Sequence, residues 1–227
     1  MALLILMKEE SFDKNEFLKK GAEAQLVLEQ AQDGFVLSKK RIMKNYRNPK
    51  LDLKIRTTRT RSEAKILKEL WNSMNVPKLI KVDEKKAEIL MEFIQGKRLK
   101  EVIEKNPALC TQAGKQIKKL HNLGIIHGDL TTSNIIFVDP KDKEIKKNKD
   151  LLERIKKKGS LFFIDFGLGF YSKKEEDRAT DLVVFKKTFN ATHSKIKNGW
   201  TLVLKGYAPS KELTERMSAI EKRARYH

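Results

Sequence analysis

Two short motifs constrain this chain more than anything else in it. The first is His127-Gly128-Asp129-Leu130-Thr131-Thr132-Ser133-Asn134, and the second is Ile164-Asp165-Phe166-Gly167. Each lies beside an apolar run with the look of a strand. The spacing places an Asp, an Asn and a second Asp where phosphoryl transfer needs them. Asp129 can accept a hydroxyl proton, and Asn134 can turn back to hold a magnesium ion. Asp165, at the head of its own turn, can hold the metal that bridges the phosphates of ATP. A turn and a strand end would account for either motif alone. Both together, in this order, favour the chemical reading.

The chain has 227 residues, enough for one domain or for two small lobes sharing a cleft. With 40% hydrophobic residues and clear periodic segments, it is expected to bury a core. Its single cysteine, Cys110, permits no intrachain disulfide and reads as a small buried apolar residue. The opening run Ala2–Met7 lacks a basic flank and a small-residue cleavage site, so residues 1–7 read as a strand rather than a signal peptide. No later run approaches a membrane span. The expectation is a cytoplasmic protein that does not engage a membrane. The formal charge of +19 comes from 49 Lys and Arg against 30 Asp and Glu. This is an excess and not a balanced increase of both signs, so the surface should attract polyanions such as nucleic acid.

Residues 18–28 and 34–43 read as two strands joined at Gln32-Asp33-Gly34, a strong hairpin signal. Thr60–Met74 reads as a helix, with Ala64, Leu67, Leu70, Trp71 and Met74 on one face and Pro77 closing the segment. Lys78–Val82 and Ala87–Phe93 read as a further strand pair, and Gly96 as a hinge between lobes. Ala108–Leu123 is amphipathic and stops at Gly124. The expected organisation is a strand-rich N-terminal lobe over residues 1–95 and a helix-rich C-terminal lobe over residues 96–227. The charge-dense segment 141–158 reads as a solvated loop or short exposed helix, with a phosphate-backbone contact as the functional alternative. The basic stretch 221–227, with one aromatic, reads as a frayed end or as a nucleic-acid contact.

Lys39 ends the apolar strand Phe35-Val36-Leu37-Ser38 and can reach the α- and β-phosphates. Lys40 and Arg41 are its neighbours, and the Val-x-x-Lys spacing favours Lys39. Glu63, read as lying in the first turn of the next helix, is its natural ion-pair partner. Gly21-Ala22-Glu23-Ala24-Gln25 connects two strand-like runs where a phosphate-covering loop would lie, although a single glycine makes it a stiff one. The backbone from Glu92 to Ile94, just ahead of Gly96, suits adenine hydrogen bonds. His127 reads as a packing and hydrogen-bonding residue without a proton-transfer role. Asp181, ahead of Leu182-Val183-Val184-Phe185, could cap the backbone of the HGD loop from beneath or be an ordinary helix-start carboxylate.

Taken together these residues resemble the protein-kinase-like superfamily, and more narrowly the small atypical serine/threonine kinase subunit of the KEOPS complex, the Bud-type kinases related to animal PRPK. The likeness runs from about Lys19 to the C-terminus. It rests on Gly21–Ala24, Lys44-Asn45-Tyr46-Arg47-Asn48-Pro49, Arg59-Thr60-Arg61-Ser62-Glu63-Ala64, the HGDLTTSN loop, Phe163–Leu168, Glu176–Leu182 and the basic tail. The lysine-rich insertion and the first ten residues depart from the pattern. Gly128 stands where ordinary kinases have the arginine that pairs with a phosphorylated activation loop. No Ala-Pro-Glu follows Asp165, and only 46 residues follow Asp181, too few for a peptide platform.

The resemblance implies an α+β, minimal two-lobed kinase with a reduced helical C-lobe. It implies Asp129 as proton acceptor, Asn134 and Asp165 as magnesium ligands, and Lys39 with Glu63 at the phosphates of ATP. It also implies a partner, the tRNA threonylcarbamoyltransferase subunit, with the other KEOPS subunits, in the threonylcarbamoyl modification of tRNA. The basic surface and tail would then meet tRNA. Two other readings stand beside it: a small-molecule phosphotransferase of the aminoglycoside type, and a tRNA-binding module without catalysis. The short, basic C-terminal half argues against the first, and the intact Lys39, Asp129, Asn134 and Asp165 set against the second. The phosphoacceptor could be water, the kinase itself or a partner.

Overall fold

In the computed structural model the described residues are 15–20, 23–31, 34–143, 145–155 and 159–224. The expected strand over residues 1–7, Gly21 and Ala22, the Gln32-Asp33 part of the hairpin turn, and Arg225–His227 lie outside them. The chain divides into two compact units, one of Met1–Lys68 with Pro77–Phe93, the other of Glu69–Val76 with Ile94–His227.

The first unit is an antiparallel sheet and one long helix. Its strands are β1 (Asn15–Lys20), β2 (Ala24–Ala31), β3 (Gly34–Arg41), β4 (Leu79–Asp83) and β5 (Glu88–Glu92), in the order β1-β2-β3-β5-β4. Ala31 pairs with Gly34, the register that a two-residue hairpin connection demands. The segment 18–28, expected as one strand, is instead the end of β1 and most of β2, folded back so that Lys20 pairs with Gln25. Side-chain alternation runs through such a reversal unchanged, and the only breaker in the sequence is Gly21.

The helix α1 spans Pro49–Leu70, eleven residues earlier at its start than the apolar periodicity predicts, and it ends before Met74. Its first half carries cations and leaves Leu51 and Leu53 exposed, so no apolar stripe marks it. The signal is the cap: the Asn48 carboxamide oxygen accepts from the N–H of Lys50 and of Leu51, and Pro49 opens the helix. Glu63 therefore lies deep inside the helix and not in its first turn, so it has no role toward the helix N-terminus. From its other half, Ala64, Leu67 and Leu70 turn inward and are buried.

The second unit carries two small sheets and a set of helices. β6 (Lys97–Arg98), β8 (Ile135–Val138) and β9 (Ser160–Phe163) form one sheet, and β7 (Ile125–Ile126) pairs with β10 (Phe170–Tyr171). The helices are α2 (Leu99–Val102), α3 (Ala108–Asn122), α4 (Lys149–Arg154), α5 (Glu175–Thr192), α6 (Gly199–Tyr207) and α7 (Lys211–Arg223). α3 buries Leu109, Ala113, Ile117 and Leu120 as its periodicity predicts. It touches α6 backbone to backbone: a Cβ on Gly114 would meet the Val203 carbonyl oxygen at 2.0 Å, and one on Gly206 would meet that of Thr111 at 2.0 Å.

The lysine-rich insertion is a packed element, not a solvated loop or exposed helix. Ile145, in a short 3-10 turn (Ile145–Lys147), and Leu151, in α4, join a buried cluster with Ile94, Ile136, Val138 and Phe162. Asn148 caps α4 by accepting the Leu151 N–H at 2.9 Å. Arg154 stacks 3.9 Å from the Trp71 ring and donates to the Val76 carbonyl. Two isolated apolar anchors among lysines give no periodic signal. The predicted basic tail likewise begins inside α7, where Glu221 pairs with Lys186 at 2.6 Å and Arg223 with Glu176 at 2.7 Å. No helix among the described residues is long and apolar enough to cross a membrane.

Candidate active site

In the second unit the loop between β7 and β8 carries His127 to Asn134, and the loop after β9 carries Asp165. The two are tied together by a backbone hydrogen bond from the Ile164 N–H to the Asn134 carbonyl, 3.0 Å. Leu130 and Phe166 are fully buried beneath them, whereas Asp129 and Asp165 are exposed. The result is a pair of carboxylates presented to solvent from a dry frame.

Asp181 sets the first loop. It lies within α5, not at its start, and is 2% exposed. Its Oδ2 accepts the N–H of His127 at 2.9 Å, and its Oδ1 accepts the N–H of Gly128 at 3.0 Å. The same carboxylate takes Nε2 of His121 at 3.1 Å, while Nδ1 of His121 lies 2.9 Å from the Tyr207 hydroxyl. An ionised carboxylate only accepts, so Nε2 of His121 donates to Asp181, and with a neutral His121 ring the Tyr207 hydroxyl donates to Nδ1. Burial alone would raise the Asp181 pKa, but the hydrogen bond and charge interaction with His121, followed by the neighbouring His127 ring and backbone N–H, outweigh it and hold the carboxyl below its usual range. Burial pushes the Tyr207 phenol up to about 12, consistent with a permanent donor.

His127 is buried, with its ring 4.8 Å from that of Phe166 and its Nε2 donating to the Ile164 carbonyl at 3.1 Å. Its Nδ1 has no hydrogen-bond partner, and burial lowers its pKa, so the ring is neutral. The packing role expected of it fits this geometry. Gly128 adopts φ +78°, and a Cβ there would stand 2.3 Å from the Leu168 carbonyl oxygen, so this loop has no room for an arginine.

The Asn134 amide nitrogen donates to the Asp129 carbonyl at 2.8 Å and to Asp129 Oδ2 at 3.0 Å. Its amide oxygen is thus the atom with which it would hold a cation. Asp165 adopts φ +65°, a left-handed conformation that a short polar side chain bonded to nearby backbone tolerates better than most, and its Oδ1 accepts the Gly167 N–H at 3.3 Å. No group of three or more His, Cys, Asp or Glu suited to a metal occurs among the described residues. The donors offered by Asn134 and Asp165 are hard oxygens, which suit magnesium. That ion commonly takes one or two carboxylates and completes its shell with water and substrate phosphate.

In the first unit Lys39 Nζ lies 2.7 Å from Glu63 Oε1, with both side chains buried. Sequence reasoning pairs these two residues but passes over Arg41, which contacts Glu63 Oε2 at 2.5 Å and donates to Thr60 Oγ1 at 3.2 Å. Alternation along β3 is the available signal, since it places Leu37, Lys39 and Arg41 on one side. Glu23 is exposed and binds Arg59 at 2.7 Å. Ala24 and Gln25, expected in the phosphate loop, are the first residues of β2 and pair with Arg41 and Lys40. Glu92 ends β5, and its carboxylate accepts the Lys78 N–H at 3.0 Å. Ile94 is 3% exposed in the core of the second unit.

The protein kinase domain model matches residues 16–193. The KEOPS complex subunit Bud32 of Pyrococcus abyssi is 38% identical, over 92% of this chain and 95% of that protein. The probable bifunctional tRNA threonylcarbamoyladenosine biosynthesis protein of Methanocaldococcus jannaschii is 38% identical over 91% of this chain, which spans only 36% of that relative. Among solved structures, the Rio2 kinase–ADP/Mg2+–phosphoaspartate complex of Chaetomium thermophilum superposes with a TM-score of 0.62 at 15% identity, over 92% of this chain and 70% of that one. That likeness carries the fold: an antiparallel sheet with one long helix, followed by a helical unit. The chain belongs to the protein kinase family, on the branch of the KEOPS complex subunit Bud32.

Proposed function

We propose that this kinase-type phosphotransferase uses Mg-ATP as a serine/threonine kinase or ATPase that regulates tRNA threonylcarbamoyladenosine modification. The observation that carries the reading is the exposed Asp129 and Asp165 carboxylates on a buried frame braced by Asp181. Asp129 accepts the proton of the attacking hydroxyl, and its hydrogen bonds from Asn134 hold it oriented for that. Asn134 and Asp165 would hold magnesium, which neutralises charge on the phosphates. Lys39, positioned by Glu63, meets the phosphates. The Gly21–Gln25 segment would cover them, and the backbone from Glu92 to Ile94 would receive adenine. The intact set of polar groups favours turnover over a purely structural binding module.

The names of the relatives support the process. The bifunctional relatives carry a segment like this chain within a protein roughly three times as long. A physical and functional partner, the threonylcarbamoyltransferase subunit, fits that arrangement. The excess of 49 cationic over 30 acidic residues suits tRNA, and a cytoplasmic site follows from that substrate. ATP hydrolysis measured on the chain alone, and then with the transferase subunit and tRNA, tests the proposal. Strong stimulation by both supports it. Equal turnover alone, with phosphate appearing on added proteins or small molecules, would replace it with a free-standing kinase. Truncation after Arg223 should weaken tRNA binding and lower the slope of log K against log salt by about one for each phosphate no longer neutralised. An unchanged slope would place the basic site elsewhere.

A further inference from the structure

Glu63 has two carboxylate oxygens, and each is taken by a different cation. Lys39 holds Oε1, and Arg41 holds Oε2. Arg41 comes from the same side of β3 as Lys39, two residues on, and is 4% exposed. Its other terminal nitrogen donates to Thr60, which stands one turn before Glu63 on α1 and is fully buried. The guanidinium fork therefore spans two neighbouring anchors on one helix face. Its backbone is pinned as well, through the Arg41 N–H to the Ala87 carbonyl at 2.9 Å.

We infer that Arg41 is a positioning residue for Lys39, acting through the plane of the Glu63 carboxylate. The terminal torsion of a glutamate is broad and roughly two-fold, so one cation alone does not fix it. A carboxylate held only by Lys39 could turn to give both oxygens to the ammonium, drawing the lysine back along the helix. With Oε2 committed to Arg41, Glu63 offers Lys39 only its Oε1, and the other ammonium protons keep a defined direction. Both terminal nitrogens of Arg41 are engaged within the protein, which makes it a residue that acts through Glu63 and not one that touches a ligand. The inference rests on Lys39 meeting nucleotide phosphates.

The test is a titration of the full chain and its variants with Mg-ATP and, separately, with adenosine, which lacks the phosphates. Arg41→Met should weaken ATP about tenfold, the worth of one charge-assisted hydrogen bond, and leave adenosine affinity unchanged. Arg41→Lys supplies one point charge in place of a fork and should recover part of the loss. Thr60→Val leaves every charge in place and should weaken ATP by a smaller factor, again without effect on adenosine. This keeps the inference testable if Arg41→Met does not fold. Equal ATP affinity in the folded variants, or ATP and adenosine weakened by the same factor, would overturn the positioning role. A wild-type chain that binds neither ligand would overturn the kinase reading itself, and the inference with it.

Discussion

Each unit buries a carboxylate that positions other groups, and the two are held by opposite means. Glu63 in the first unit is 1% exposed and faces two full cations, Lys39 and Arg41. Asp181 in the second is 2% exposed and faces two backbone N–H groups and a His121 ring fixed by Tyr207. Glu63 directs a side chain, and it needs charge because its target is a charge. Asp181 directs a stretch of backbone, and hydrogen bonds suffice because the targets are peptide groups. The first arrangement has the higher stake: losing the anion strands two buried cations, whereas losing Asp181 strands neutral donors.

That difference orders the expected effects. Glu63→Gln should lower stability by about 3–5 kcal/mol, the usual loss when one member of a buried ionic set is removed. Asp181→Asn should cost about 2 kcal/mol, because an amide keeps one acceptor and turns a donor toward a donor. Urea unfolding of the two variants ranks them, and a greater loss for Asp181→Asn would break the comparison. Tyr207→Phe should cost about 1 kcal/mol, leaving the His121 acceptor unpaired without moving the loop. If that change instead halved catalytic turnover, the chain from Tyr207 to Asp181 would be shaping the loop more than the geometry implies.

The smallest effect is in pH. Burial lowers the pKa of His127 and of His193, so the unfolded chain binds more protons than the folded one as pH falls below about 6.5. Their contribution is fully present above the unfolded value and is lost as pH falls toward the folded one. Asp181, also depressed, gives way only below the ordinary carboxylate range. The urea midpoint should therefore be lower at pH 5 than at pH 7.5, and His127→Gln should flatten the difference. Both histidines lie in the second unit, so a slope unaffected by that change would point to groups elsewhere.

The parts legible in the sequence are those written in local, dense patterns. The HGD and DFG loops are marked by a few adjacent residues, and α3 and the β4–β5 pair follow simple periodicities. The parts that escape it depend on partners distant in the chain or on caps. The start of α1 is hidden because its first turns bury little apolar surface, although Asn48-Pro49 announces it. Arg41 is easily passed over because choosing one lysine leaves its neighbour aside, yet both lie on one face of β3. The roles of His121 and Tyr207 have no sequence signal, since 86 positions separate them and only packing of α3 on α6 brings them together. Ile145 and Leu151 are masked by the lysines around them.

The central proposal is that Asp165 is a metal-holding carboxylate of a phosphoryl-transfer site. The direct test is Mg-dependent ATP hydrolysis by Asp165→Ala, alongside its circular dichroism and melting curve. Asp165 is exposed, so removing its carboxylate takes nothing from the core, although alanine tolerates the φ of +65° less well than aspartate and the melting point should fall slightly. The expected result is a wild-type fold and turnover reduced at least about a hundredfold, the scale of losing a group that acts on the reacting phosphate. Undiminished hydrolysis by the folded variant would contradict it.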